Sequence, residues 1–242
     1  MLLEARSVSR DFGSFRALSE ADLTVGEGEI VGLIGPNGAG KSTFFNCLVG
    51  DLQPSAGRVV FGGTDVTRAS PETHARLGIG RTFQVPATFE EMTILENVMV
   101  GAFLRHPGRR EAREAARKVV EFVGLGDQAE QRAGSLGTPG RKRLEIARVL
   151  AGEPRLILLD EALAGLTPVE IQAAIELVRR IHASGITLVI VEHIMEVILS
   201  LTARVLVFNQ GRTIASGPPH EIVNDPAVIE AYLGVKRARR RR

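Results

Sequence analysis

Gly35-Pro36-Asn37-Gly38-Ala39-Gly40-Lys41-Ser42-Thr43 fits the spacing G-x-x-x-x-G-K-[ST]. No other feature narrows the fold as much. A loop of this kind must turn successive backbone N–H groups inward, toward a polyphosphate. Glycine reaches the backbone angles this needs and lets the chain approach without a Cβ clash. Lys41 brings a positive charge to the outer phosphates, and Ser42 offers a hydroxyl to Mg²⁺. The flanks agree. Ile30-Val31-Gly32-Leu33-Ile34 is a continuous apolar run of the kind a buried parallel strand shows. A helix-like stretch from Lys41 to Gly50 follows, and its dipole adds positive potential at the loop. Strand, loop and helix together predict that residues 35–43 hold a nucleoside triphosphate.

A second acidic feature lies downstream. Leu156-Ile157-Leu158-Leu159 ends in Asp160 and Glu161. At the C-terminal end of a buried strand such acids face the crevice where α/β folds bind ligands. Asp160 suits Mg²⁺, directly or through water. Glu161 suits the polarisation of an attacking water. Thr187-Leu188-Val189-Ile190-Val191-Glu192 repeats the arrangement and is followed by His193, a polar tip placed to contact a γ-phosphate and orient water. The remaining histidines, His74, His106, His182 and His220, sit in polar loop or helix-end contexts and read as surface groups.

The pattern along the chain predicts an α/β fold with a mainly parallel sheet. Short strands at Leu2–Val8, Leu18–Val25 and Arg58–Phe61 open the chain. Residues of about 87 to 152 carry few strand signals. Helices are expected there over Thr93–Leu104, Arg109–Val123 and Arg141–Leu150, so the region reads as a helical subdomain. Beyond it, helices over Val169–His182 and His193–Leu201 alternate with the two buried runs. Asn209-Gln210-Gly211-Arg212 marks a hairpin between Arg204–Phe208 and Thr213–Ser216. There is no internal repeat.

Composition excludes several classes. At 242 residues the chain suits one or two domains of about 150 residues. The single cysteine, Cys47, rules out a disulfide scaffold and fits a reducing compartment. One tyrosine and no tryptophan argue against stacking successive bases, and no nucleic acid is expected as a partner. The net charge of +2 misleads, because six of the 30 basic residues fall in Lys236 to Arg242; the rest of the chain carries −4. That tail reads either as a solubilising end or as a contact for anionic lipid headgroups. No apolar run reaches the length of a membrane-spanning helix, and the N-terminus lacks a signal-peptide pattern. A cytoplasmic protein is expected, unless something holds it at a membrane.

The order of these motifs resembles the ATPase subunit of an ATP-binding cassette (ABC) transporter, over about Leu3 to Gly234. The resemblance implies a P-loop NTPase core with an N-terminal antiparallel β subdomain and an inserted α-helical subdomain. Residues 1–235 would form the ATPase domain and 236–242 a basic tail. It also implies residue roles. Phe12, in Asp11-Phe12-Gly13, stands where the family stacks an aromatic on adenine. Gln84, in Arg81-Thr82-Phe83-Gln84, matches a glutamine that touches Mg²⁺ and links the site to the membrane subunit. Leu144-Glu145-Ile146-Ala147-Arg148 matches the helix after the family's signature loop. Ala164-Gly165-Leu166-Thr167 fills the loop that touches the opposite subunit, and His193 matches the switch histidine. The catalytic set implied is Lys41, Gln84, Glu161 and His193, with Ser42, Gln84 and Asp160 at the metal.

Gly32 to Lys41, Arg81 to Gln84 and Glu230 to Gly234 look most like ATPases of branched-chain amino-acid importers; urea and short-amide importers look much alike. Such subunits work in pairs at the cytoplasmic face of the membrane, beneath transmembrane permeases served by an external solute-binding protein. ATP and Mg²⁺ are the implied cofactors.

The chain departs from the family in one place above all. The signature Leu-Ser-Gly-Gly-Gln is replaced by Leu136-Gly137-Thr138-Pro139-Gly140. Gly137 has no hydroxyl for the partner's γ-phosphate, and Pro139 has no N–H. Two readings stand. Either the chain pairs with a different ATPase and completes an impaired site there, or Thr138, Gly140 and the loop backbone compensate. Ala162 and Thr167 also replace the family's usual proline and acid or amide. Three rivals are weaker. Soluble ABC proteins of repair or translation carry two cassettes or long coiled-coil insertions, and neither is present. A P-loop GTPase needs an Asn-Lys-x-Asp motif, which is absent. A P-loop kinase has no use for the Gln84 and His193 pair.

Overall fold

The computed structural model describes residues 1–233. The basic tail and the last residue of the Glu230–Gly234 segment lie outside them. The chain forms two compact units, Met1–Pro71 with Thr187 onward, and Glu72–Ile186.

In the first unit, β1 (Leu3–Phe12) and β2 (Phe15–Val25) form an antiparallel hairpin whose register pairs Leu3 with Val25. β4 (Ala56–Phe61) runs antiparallel on the other side of β1, and β5 (Thr64–Asp65) closes this sheet in the order β2-β1-β4-β5. A second set of strands centres on β3 (Ile30–Ile34), buried along its whole length. It lies parallel to both β8 (Thr187–Val191) and β9 (Arg204–Asn209), which is why all three read as unbroken apolar runs. β10 (Arg212–Gly217) returns antiparallel to β9 through a two-residue turn in which Gln210 and Gly211 both have positive φ. Helix α1 (Lys41–Leu48) buries Phe44, Phe45, Cys47 and Leu48, and the Phe44 ring lies 5.0 Å from that of Phe208 on β9. Helices α7 (Met195–Leu201), α8 (Pro219–Ile222) and α9 (Pro226–Leu233) add Ile198, Ile222 and Val228 to a core with Ile34, Val205 and Val207.

In the second unit, β6 (Ile79–Arg81) pairs in parallel with β7 (Leu156–Asp160). Between residues 87 and 152 the structure is helix and turn, with one isolated bridge between Thr93 and Arg132. Helix α3 (Ile94–Ala102) starts at a capping box of Thr93 and Glu96. Helix α4 (Arg109–Phe122) buries only Ala112, Ala116 and Val120, a stripe at four-residue spacing beneath exposed Arg and Glu. Helices α5 (Thr138–Leu150) and α6 (Pro168–Ala183) follow, α6 with a second capping box of Thr167 and Glu170.

The α/β class, the mainly parallel strands and the antiparallel N-terminal sheet agree with expectation. Several details differ. Helix α5 begins at Thr138, three residues before the expected Arg141, because Pro139 sits in its first turn with φ already helical. Helix α7 begins at Met195, so His193 is outside it. Strands β5 and β6 and helices α2 (Pro71–Leu77), α8 and α9 have no counterpart among the elements expected from the sequence. His74, read as a surface group, is 1% exposed; it is the one buried residue of α2.

Candidate nucleotide site

The phosphate loop runs from the end of β3 to the start of α1. Gly35 has φ +151° and Gly40 has φ +100°. A Cβ on Gly35 would lie 2.2 Å from the carbonyl oxygen of Phe208, and one on Gly40 would lie 2.9 Å from that of Ala17. Backbone therefore presses on the loop from β9 and β2, and only glycine fits. The N–H of Ala39 donates to the Pro36 carbonyl (3.1 Å), and Gly211 of the β9–β10 turn donates to the Ala39 carbonyl (2.8 Å). The loop is thus held by its own unit, while Asn37 and Gly38 at its tip are exposed. Lys41 folds over the loop, its Nζ donating to the carbonyls of Gly35 (2.7 Å) and Pro36 (3.1 Å). Helix α1 has no side-chain cap, and the first-turn amides of such a helix are suited to an external acceptor. Ser42 is exposed. This geometry fits an anion at the loop.

Two further predicted residues lie in this unit. Phe12 is exposed at the end of β1, and the Arg10 guanidinium covers one face of its ring at 4.7 Å. The His193 side chain is 62% exposed after β8, its Nδ1 4.0 Å from a carboxylate oxygen of the buried Glu192. Tyr232 on α9, which the Glu230–Gly234 resemblance includes but gives no role, is hydrogen-bonded to the backbone of Gly35; burial pushes its phenol above the usual range and that bond partly offsets the shift.

The second unit gathers the acids. Asp160 ends β7 and is buried. Its Oδ2 is 3.4 Å from Arg81 Nη2, and its N–H donates to Thr82 Oγ1 at 3.2 Å. Glu161 follows with φ +46°, a left-handed turn that swings its side chain off the strand path. Gln84 Nε2 donates to Glu161 Oε2 at 2.8 Å. Sequence reasoning expected Gln84 and Glu161 in the site; the structure joins them directly. In the sequence Arg81 and Thr82 stand only as neighbours of Gln84, and their contacts with Asp160 carry no sequence signal. The replaced signature stands at the start of α5. Gly137 is the N-cap, without a side-chain cap, Thr138 is exposed in the first turn, and Pro139 follows. Gly140 packs on the buried Leu136. Among the described residues no group of three or more His, Cys, Asp or Glu side chains is arranged to hold a metal by itself.

The family comparison agrees with the geometry. Residues 18–164 match the family model for the ABC transporter, and the chain belongs to that family: it is an ATP-binding cassette, with the nucleotide binding that fold implies. Residues 212–238 match a second model, described as branched-chain amino acid ATP-binding cassette transporter. Among individual proteins, the chain is 37% identical to the high-affinity branched-chain amino acid transport ATP-binding protein BraF of Pseudomonas aeruginosa and 38% identical to LivG of Salmonella typhimurium. Each alignment covers 96% of this chain and 98% of the relative. Of the solved structures, the ADP conformation of MJ1267, an ATP-binding cassette of an ABC transporter, superposes with a TM-score of 0.88 at 33% identity, covering 96% of this chain and 98% of that one.

Proposed function

We propose that this chain is the ATP-hydrolysing subunit of an importer for branched-chain amino acids. It would work at the cytoplasmic face of the membrane with a second ATPase subunit, transmembrane permeases and an external solute-binding protein. The full-length likeness to BraF and LivG supports the solute class. The observation that carries hydrolysis is the hydrogen bond between Gln84 and Glu161, beside Asp160 at the end of β7.

In this reading the amides of residues 35–43 and the Lys41 ammonium hold the β- and γ-phosphates of ATP. Phe12 offers its free ring face to adenine. Glu161 accepts a proton from the attacking water, Gln84 fixes the carboxylate, and His193 contacts the γ-phosphate. Ser42, Asp160 and Gln84 supply oxygen donors, the kind Mg²⁺ takes alongside phosphate and water. Mg²⁺ bound there neutralises charge on the phosphate oxygens. Gly137, Thr138 and Gly140 face the ATP of the second subunit. With no hydroxyl at Gly137 and no N–H at Pro139, that second site loses donors worth up to about 3–4 kcal/mol each in the transition state. The pair is accordingly heteromeric, and this chain's own site takes a complete signature from its partner.

Two substitutions test the reading. Glu161→Gln is expected to bind ATP with unchanged affinity and to lose about 10²- to 10⁴-fold in turnover. Lys41→Ala is expected to lose most nucleotide binding, read by fluorescent-nucleotide titration. Normal turnover in Glu161→Gln would remove Glu161 as general base.

A further inference from the structure

Helix α5 carries two buried charged side chains three residues apart, Lys142 and Glu145, 7% and 6% exposed. The spacing puts both on one helix face. Glu145 Oε1 accepts the N–H of Phe83 at 2.8 Å, and Lys142 Nζ donates to the carbonyl of Glu161 at 3.4 Å. One face of one helix therefore touches both segments that the Gln84–Glu161 hydrogen bond joins. The position of Phe83 gives the contact its meaning. Strand β6 ends at Arg81, and Thr82 makes the last strand-like bond, to the Leu158 carbonyl. The next amide, that of Phe83, is taken by a carboxylate from another element, one residue before the glutamine.

We propose that Glu145 is a positioning residue: by holding the Phe83 amide it aims Gln84 at Glu161. The inference rests on the ATPase reading above and adds a residue to which that reading gives no task. A buried carboxylate is a costly way to fill space, since an apolar side chain of similar volume is as stable or more so. Burial does push the Glu145 carboxyl above its ordinary range, with the Phe83 amide and the charges of Lys142, Arg148 and Arg81 offsetting it.

The test uses the full chain, assembled with its second ATPase subunit for turnover, and three variants. Glu145→Met keeps the volume and removes the acceptor; Glu145→Gln keeps an acceptor oxygen; Gln84→Ala removes the aimed group. In the nucleotide-free chain, hydrogen exchange at the Phe83 amide should rise about tenfold in Glu145→Met and stay near wild type in Glu145→Gln. With Mg-ATP, Glu145→Met should lower kcat about ten- to hundredfold with KM within about twofold, as expected for a misplaced catalytic group. Glu145→Gln should remain within about threefold of wild type. Glu145→Met combined with Gln84→Ala should be no slower than Gln84→Ala alone. A Glu145→Met chain with wild-type kcat, unchanged exchange at Phe83, or losses that multiply in the double variant would each overturn the proposal. A wild-type complex with the second ATPase subunit that hydrolyses no ATP would instead defeat the ATPase reading, and the exchange measurement would still judge Glu145.

Discussion

A methyl group at Gly35 has nowhere to go: the Phe208 carbonyl stands 2.2 Å from where it would sit, on backbone that cannot rotate away. Gly35→Ala is therefore expected to cost more than about 3 kcal/mol in denaturant unfolding, among the large effects that follow backbone strain. Cys47, on the buried face of α1, is a residue of a different kind. Burial pushes its thiol up to about 11, leaving a thiolate fraction on the order of 10⁻³ at pH 8, so a thiol reagent should label the native chain far more slowly than the unfolded one. The sign for stability follows. The native state keeps the proton longer, so stability falls as pH rises from 9 to 11, and Cys47→Ala should flatten that loss. At this scale the phosphate loop, Asp160 and Glu161 were legible as candidates because phosphate and metal chemistry demand those residue types at fixed spacing. Glu145, Arg81 and Tyr232 were not, because their partners are Phe83, Asp160 and Gly35, far off in sequence or on a different element. His74 was misread because it is the one buried residue of α2, and burial of one side chain leaves no periodic trace.

Two helices of the second unit begin differently, and the difference can be measured. Thr167→Ala breaks the capping box of α6 and should cost about 1 kcal/mol. Gly137 caps α5 with extended backbone and no side-chain acceptor, so Gly137→Ser should stabilise the chain by about 0.3 kcal/mol. On the heteromeric reading the same serine raises turnover at the site completed in the second subunit, and that gain is separable from the change in melting. Among elements, β3 and β7 were read to the residue, since strands buried on both faces are marked at each end by a polar residue or a turn. β1 and β2 ran longer than expected because their outer ends are exposed and show no alternation. The three residues of β6 are too few to make a pattern.

For the whole molecule, the replaced signature makes a prediction about the assembled transporter. In a complex with a second ATPase subunit, turnover measured separately at each site should differ, the faster site being the one built on Lys41 and Glu161 of this chain. Equal rates would remove the asymmetric reading. The departures at Gly137 and Pro139 that motivate this reading stand in the sequence; the identity of the second subunit does not.

The left-handed turn at Glu161 has a longer-range consequence. A residue with a Cβ held at φ +46° costs about 1–2 kcal/mol that glycine would not. If the carboxylate is what justifies the turn, a descendant freed from hydrolysing ATP would drift there toward glycine or asparagine and gain heat resistance as it did so. A glycine at that place in a sister sequence would then mark a retired engine.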